Sequence, residues 1–226
     1  RLSALAMSRA NGAMVVSVPA EAQVDEPIVL HLSGTGDADV VWGHVVLDLG
    51  PFSKSTVILE HSGDAKYAAC VSVLVGDGAL ADVVSVQEWD RTTLHSAHVG
   101  IRLGRDARMR GLDVTLGGDV VRLVKTVEYA GPGGDAELLG LYFADAAQHL
   151  EHRLFIDHAV PNCRSRVTYK GALQGDAAHT VWVGDVMIRA GATGTDTYEL
   201  NRNLLLTPEA RADSVPNLEI ETGEIV

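Results

Sequence analysis

Thiols, basic runs and long apolar stretches are all scarce in this chain of 226 residues. Only Cys70 and Cys163 are available and no Asn-x-Ser/Thr triplet occurs, which argues against a disulfide-stapled secreted scaffold and for a reducing, cytoplasmic location. Lys and Arg total 18 against 30 Asp and Glu, a formal charge of -12 with no basic run to offset it. Phosphate contacts need clustered cations, so nucleic acid is not an expected partner. The longest apolar runs, such as Leu138 to Phe143, fall far short of the roughly 18 to 20 residues that cross a bilayer, so no membrane span is expected. Strong chemical signatures are missing too: there is no Gly-x-Ser-x-Gly, no His-Glu-x-x-His and no paired Cys-x-x-Cys. Gly131-Pro132-Gly133-Gly134 lacks the Gly-Lys-Ser/Thr ending of a phosphate loop and reads as a turn.

What is present is apolar content, at 46% ample for a core. Arg1 to Met7 carries one positive charge and no sustained apolar stretch, so it does not read as a signal peptide. The chain begins without Met, and Leu218 to Val226 stops inside a strand-like alternation, so both ends read as trimmed. Residues 1–12 are assigned to a remnant of an N-terminal region and residues 13–226 to one core domain.

From Ala13 onward the dominant pattern has period two, with Gly and Asp as punctuation, the signal of strands. Leu150, His152, Leu154, Ile156, His158 and Val160 then share an inward face, with Glu151, Arg153 and Asp157 on the other. Between Ala178 and Ile188 both alternating sets are largely apolar, which predicts a strand covered on two sides. Helix is expected over Leu2 to Ala10, and Asp145 to Leu154 also fits a helical stripe. Similar turns recur at Gly63-Asp64-Ala65, Arg105-Asp106-Ala107, Gly134-Asp135-Ala136, Gly175-Asp176-Ala177 and Pro208-Glu209-Ala210. Their alanine spacings, 42, 29, 41 and 33, are near multiples of a unit of about 14 to 16 residues. That rhythm favours stacked strands in a solenoid over a β-sandwich, which stays open as the alternative.

Few residues suggest chemistry. His95 and His98 lie three apart, on opposite faces of a strand, and so share no metal there. Parity likewise separates His149 from His152 and His158, and the latter pair is about 20 Å apart at roughly 3.3 Å per residue. These histidines are expected to be buried and hydrogen-bonded between neighbouring strands. Cys163 is flanked by Arg164 and Arg166, which could favour its thiolate, whereas Cys70 reads as a small core residue.

The C-terminal third is more specific. Leu150-Glu151-His152-Arg153-Leu154-Phe155-Ile156-Asp157-His158-Ala159-Val160-Pro161-Asn162-Cys163-Arg164-Ser165-Arg166-Val167-Thr168-Tyr169-Lys170-Gly171 resembles the His-x-Ala/Val-Pro, Ser, Lys-Gly segment of the SufB/SufD family of iron-sulfur cluster assembly proteins. Gly194 to Leu206, and Ala212 to Ile220 with its Pro-x-Leu-Glu, look like the family's last rungs. The resemblance is clear over Gly63 to Val226. It implies an all-β fold, a right-handed parallel β-helix, with the family's terminal helical regions largely missing. B-type members carry a cysteine a few residues before Pro-x-Val-Glu; the matching place here is Ala210, so the chain resembles SufD rather than SufB. A D-type histidine is then expected beyond Val226. The resemblance further implies a non-catalytic scaffold that pairs with SufB and works with the SufC ATPase. It implies no cofactor and no metal in the fragment itself, and an iron-sulfur cluster held transiently in the full complex. Alternatives are a β-helix enzyme acting on carbohydrate or acyl substrates, and a structural solenoid used for protein binding. The expected partner surface is the uncapped end, Asn217, Leu218, Glu219, Ile220, Glu221 and Thr222, where an isolated core would also pair with a second copy.

Overall fold

The computed structural model describes residues 2–224, the side chains of Asp37 and Ala38 excepted. One helix, α1 (Leu2–Arg9), precedes the strands β1 (Met14–Val18), β2 (Ile28–Leu49), β3 (Lys54–Val75), β4 (Leu80–Trp89), β5 (Leu94–Leu103), β6 (Arg108–Thr115) and β7 (Val120–Tyr129). They continue as β8 (Asp135–Asp145), β9 (His149–His158), β10 (Arg164–Gln174), β11 (His179–Ile188), β12 (Asp196–Leu205) and β13 (Arg211–Ile220). All pairing is parallel, and strands neighbouring in sequence fall into two separate stacks. One stack is β4, β6, β8, β10 and β12 on the first half of β3; the other is β5, β7, β9, β11 and β13 on its second half. The result is a β-solenoid of about seven turns.

Each turn of chain covers 26 residues at its shortest, Lys54 to Leu80, and 32 at its longest, Arg164 to Asp196. The sequence unit of about 14 to 16 residues is therefore half a coil, one strand with its bend. The turn alanines are not equivalent positions, however. Ala107 lies in a bend, Ala136 is inside β8, and Ala177 takes a left-handed backbone with φ 58°. Gly63-Asp64-Ala65 is not a chain break but the place where β3 leaves one stack, at Gly63 beside Trp89, and enters the other, at Lys66 beside Leu94.

Bends at one corner stack as a ladder of left-handed residues: Phe52, Gly78, Asp106, Gly133, Asn162 and Gly194. The Phe52 amide donates to Asp77 O, Gly78 to Arg105 O and Asn162 to Thr193 O, each within 2.9 Å. The next residue turns inward and is small and buried: Ser53, Ala79, Ala107, Cys163 and Thr195.

Between the two stacks, in-register apolar columns fill the core. Val73, Ile101, Val127, Ile156 and Val186 succeed one another through five coils and are all buried. Burying each such side chain contributes about 1.5 to 3 kcal/mol. Leu150, His152, Leu154, Ile156 and His158 do face inward, and Val160 lies just past β9, half-buried. Asp145 to Leu154 is the end of β8, a turn and β9 rather than a helix, because the inward alternation continues from the neighbouring coils. Along β11 only one face is buried; Val181, Val183 and Met187 on the other are half-exposed, since no described element covers the outside of β11. Cys70 needs a similar correction. It and Ala68 point outward from β3 and are buried under α1, outside the main core.

Candidate functional site

Two columns that ought to be apolar by position carry polar side chains through the solenoid. One runs Leu59, Ser85, Asp113, Gly140, Tyr169, Asn201, and the other runs His61, Gln87, Thr115, Tyr142, Gly171, Asn203. Near the first coils, Gln87 Oε1 accepts from Trp89 Nε1 at 2.7 Å and from His95 Nδ1 at 2.8 Å, while Gln87 Nε2 donates to Ser85 Oγ at 2.8 Å. At mid-length, Asp113 Oδ2 takes both Lys125 Nζ, at 2.8 Å, and the Tyr169 hydroxyl, at 2.6 Å. Towards the last coil, the Tyr142 hydroxyl donates to Asn203 Oδ1 at 2.7 Å and accepts from Asn201 Nδ2 at 2.8 Å. Glycine makes room for the rings: a Cβ on Gly140 would stand 2.1 Å from Tyr169, and one on Gly171 2.0 Å from Tyr142.

Burial governs the charge state of this thread. It pushes His61 and His152 down to about 4, so both are neutral near pH 7. Burial raises the Asp113 carboxyl, but Lys125, His152 and the Tyr169 hydroxyl together outweigh it and hold the group below its usual range. A lysine-carboxylate pair so deep is weak evidence for stability, because desolvation consumes most of the attraction. Its firm consequence is that neither partner can be lost alone.

The predicted histidines fall where parity put them, with one correction to their hydrogen bonding. His95 is inward and His98 outward; His149 is outward while His152 and His158 are inward. His158 Nε2 lies 3.0 Å from Ser165 Oγ on β10, across the bend that follows β9, as a histidine hydrogen-bonded between strands should. His152 does not: it stacks on Tyr142 with centroids 5.2 Å apart, and neither ring nitrogen has a hydrogen-bond partner in the protein. Cys163 is not activated as a thiolate. Its flanking arginines serve carboxylates, Arg164 on Asp135 and Arg166 on Asp196, and burial pushes the thiol up, away from thiolate. Among the described residues, no three His, Cys, Asp or Glu side chains are grouped so as to hold a metal ion.

At the far end, β12 and β13 each have a neighbour on one side only among the described residues. Asn217, Leu218, Glu219 and Ile220 lie on β13; Glu221 and Thr222 follow it, with the Glu221 amide donating to Ile188 O at 2.8 Å. Ile225 and Val226 lie outside the described residues. Leu204, Leu205, Leu206, Val215, Leu218 and Ile220 are exposed there. The Arg211 amide donates to Ala178 O, just before β11, and the Glu221 amide to Ile188 O at its end, so by parallel-ladder alternation the even-numbered amides of β13 face outward. Pro216, with no amide hydrogen, falls on that even set. Inside the same end, Glu199 borders a pocket of about 300 Å³ with Asn217 and Leu218. Burial and then Asp185 raise its carboxyl to about 7.

The fold is thus a two-stack parallel β-solenoid with a polar interior thread and terminal strands that have a described neighbour on one side only. The family model described as the SufBD core domain of the SUF iron-sulfur cluster assembly system matches residues 31–226, and the chain belongs to that family. It is 52% identical over 232 residues to the iron-sulfur cluster assembly SufBD family protein Rv1462 of Mycobacterium tuberculosis, covering 100% of this chain and 58% of that protein. It is 26% identical to the iron-sulfur cluster assembly protein SufD of Escherichia coli, over 79% of this chain and 43% of that protein. To SufD of Bacillus subtilis it is 22% identical, over 100% of this chain and 53% of that protein. The chain thus spans 43% to 58% of the length of these relatives.

Proposed function

We propose that this chain is the core of a SufD-type subunit, a non-catalytic scaffold that pairs with a SufB-type subunit and works with the SufC ATPase in the cytoplasm. The observation that carries the reading is Ala210. It stands where the B-type carries a cysteine, it is buried in the bend before β13, and both thiols of the chain, Cys70 and Cys163, are buried. An iron-sulfur cluster is then held transiently by the assembled complex, not by this core as a resident cofactor. The open edge at Asn217 to Thr222 is the partner surface in this reading, and an isolated core uses the same edge to pair with a second copy. The exposed leucines and outward amides of β12 and β13 support it, since an unpaired strand edge accepts another chain's strand. Neither nucleic acid nor membrane has a part; no helix among the described residues is long and apolar enough to cross a bilayer.

The test is co-purification of the full-length protein with the SufB-type and SufC proteins of its own organism. A stoichiometric complex is expected. Its absence, with the B-type subunit instead pairing only with itself, sinks the assignment.

A further inference from the structure

On the outer surface, away from the interior thread and short of the open edge, β9 and β11 begin with histidines in register, His149 beside His179. Their rings meet edge to face with centroids 4.8 Å apart, and Nδ1 stands 3.1 Å from Nδ1. Each far nitrogen is turned to a carboxylate: His179 Nε2 is 2.9 Å from Asp213 Oδ2, and His149 Nε2 is 3.5 Å from Glu151 Oε2. An ionised carboxylate only accepts, so the hydrogen of each neutral imidazole belongs on Nε2. Neither Nδ1 then carries a hydrogen, and the two bare nitrogens stand 3.1 Å apart. That arrangement is repulsive unless a positive species lies between them.

A metal ion fits the gap. Two imidazole nitrogens on one tetrahedral ion, each about 2.0 to 2.1 Å from it, stand a little over 3 Å apart. A carboxylate on the far nitrogen is also the outer arrangement that fixes the tautomer of a metal-binding histidine and raises its basicity. The neighbouring charges narrow the class of ion. Arg122 and Arg153 pair with Glu151, and Arg211 pairs with Asp213 at 2.9 Å, so the two carboxylates are neutralised. Magnesium and calcium, which need anionic oxygens, gain nothing here, whereas ions that prefer imidazole do.

We propose that His149 and His179 form a surface site for a divalent transition metal of the zinc, nickel or copper class, bound through the two Nδ1 atoms with solvent completing its coordination. About 30% of each side chain is exposed, 31% for His149 and 29% for His179, so the ion has access and exchanges freely. Because the two residues belong to successive coils, the bound ion clips one coil to the next.

The experiment uses full-length protein freed of metal by chelation and titrated with Zn²⁺ by calorimetry, with thermal unfolding followed in parallel. One Zn²⁺ per chain is expected on wild type and on the control His31→Ala, an exposed histidine elsewhere. Affinity should fall at least tenfold in His149→Ala and in His179→Ala, and by about 10- to 100-fold in Asp213→Asn, which keeps both ligands but releases the tautomer. Zn²⁺ should raise the unfolding midpoint of wild type and not of the two alanine variants, while Mg²⁺ at equal concentration shifts neither. Equal Zn²⁺ affinity in wild type and both alanine variants, or no saturable binding to wild type, overturns the site and leaves a shared proton between the rings. These substitutions are at the surface, so matched circular dichroism before titration is expected in all four variants.

Discussion

Asp113 and Lys125 tolerate single replacement poorly, because they form an ion pair buried on both sides. Lys125→Met leaves a bare carboxylate in the core and should cost about 3 to 5 kcal/mol, read from denaturant unfolding. A loss below 1 kcal/mol means that water reaches Asp113. Leu154→Asp and Ile156→Asp, which place an unpaired charge among buried neighbours, should each cost several kcal/mol, and unchanged thermal stability in either contradicts the inward assignment. The neutral histidines set a pH dependence of known sign. His152 has a folded value near 4 against 6.5 unfolded, so between those values the unfolded chain binds more protons and stability falls on acidification. Glu199, raised to about 7 from 4.5, acts the other way and loses stability as pH rises through that window. Thermal midpoints from pH 4 to 8 should therefore fall less steeply on acidification in His152→Phe, and fall more steeply in Glu199→Gln, than in wild type. Identical profiles in all three proteins would falsify both placements. None of this thread was legible beforehand: Tyr169 and Asp113 are 56 residues apart, and Tyr142 and Asn203 are 61. Only the coil length brings such residues into one column.

Individual strands were easier to read than what covers them. Period-two alternation placed the inward set of β9 correctly because burial alternates along that strand, Glu151 excepted, which lies on the outer set yet is buried. It could not show that α1 lies over Cys70, nor that the outer face of β11 is left uncovered, since alternation says which residues share a face and not what packs on it. The edge strand β13 offers a clean test of pairing. Ile220 belongs to the even-numbered set whose amides point away from β11, so Ile220→Pro removes an outward donor and spares the bonds to β11. Self-association measured by sedimentation should weaken several-fold in Ile220→Pro with the unfolding midpoint nearly unchanged. A dimer indifferent to that substitution excludes the even-numbered amides of β13 as the contact. In the bends, Gly133 has φ 80° and a Cβ there would lie 2.0 Å from the Asp106 carboxylate, so Gly133→Val should destabilise by about 1 to 3 kcal/mol.

At the scale of the whole molecule, the formal charge of -12 opposes any pairing of like copies. Dimerisation of the isolated chain should strengthen a few-fold between 50 and 500 mM salt, as screening removes that repulsion. A decline with salt instead means that specific ion pairs hold the dimer. The solenoid class was legible because half a coil has nearly constant length, and the sandwich was the reading it displaced. The constancy of the coil has another outcome. Every new strand docks on one made 26 to 32 residues earlier, so the separation between partners does not grow as the chain lengthens. A ribosome releasing this chain thus delivers each segment to a finished template, and folding can keep step with translation instead of waiting for the last residue.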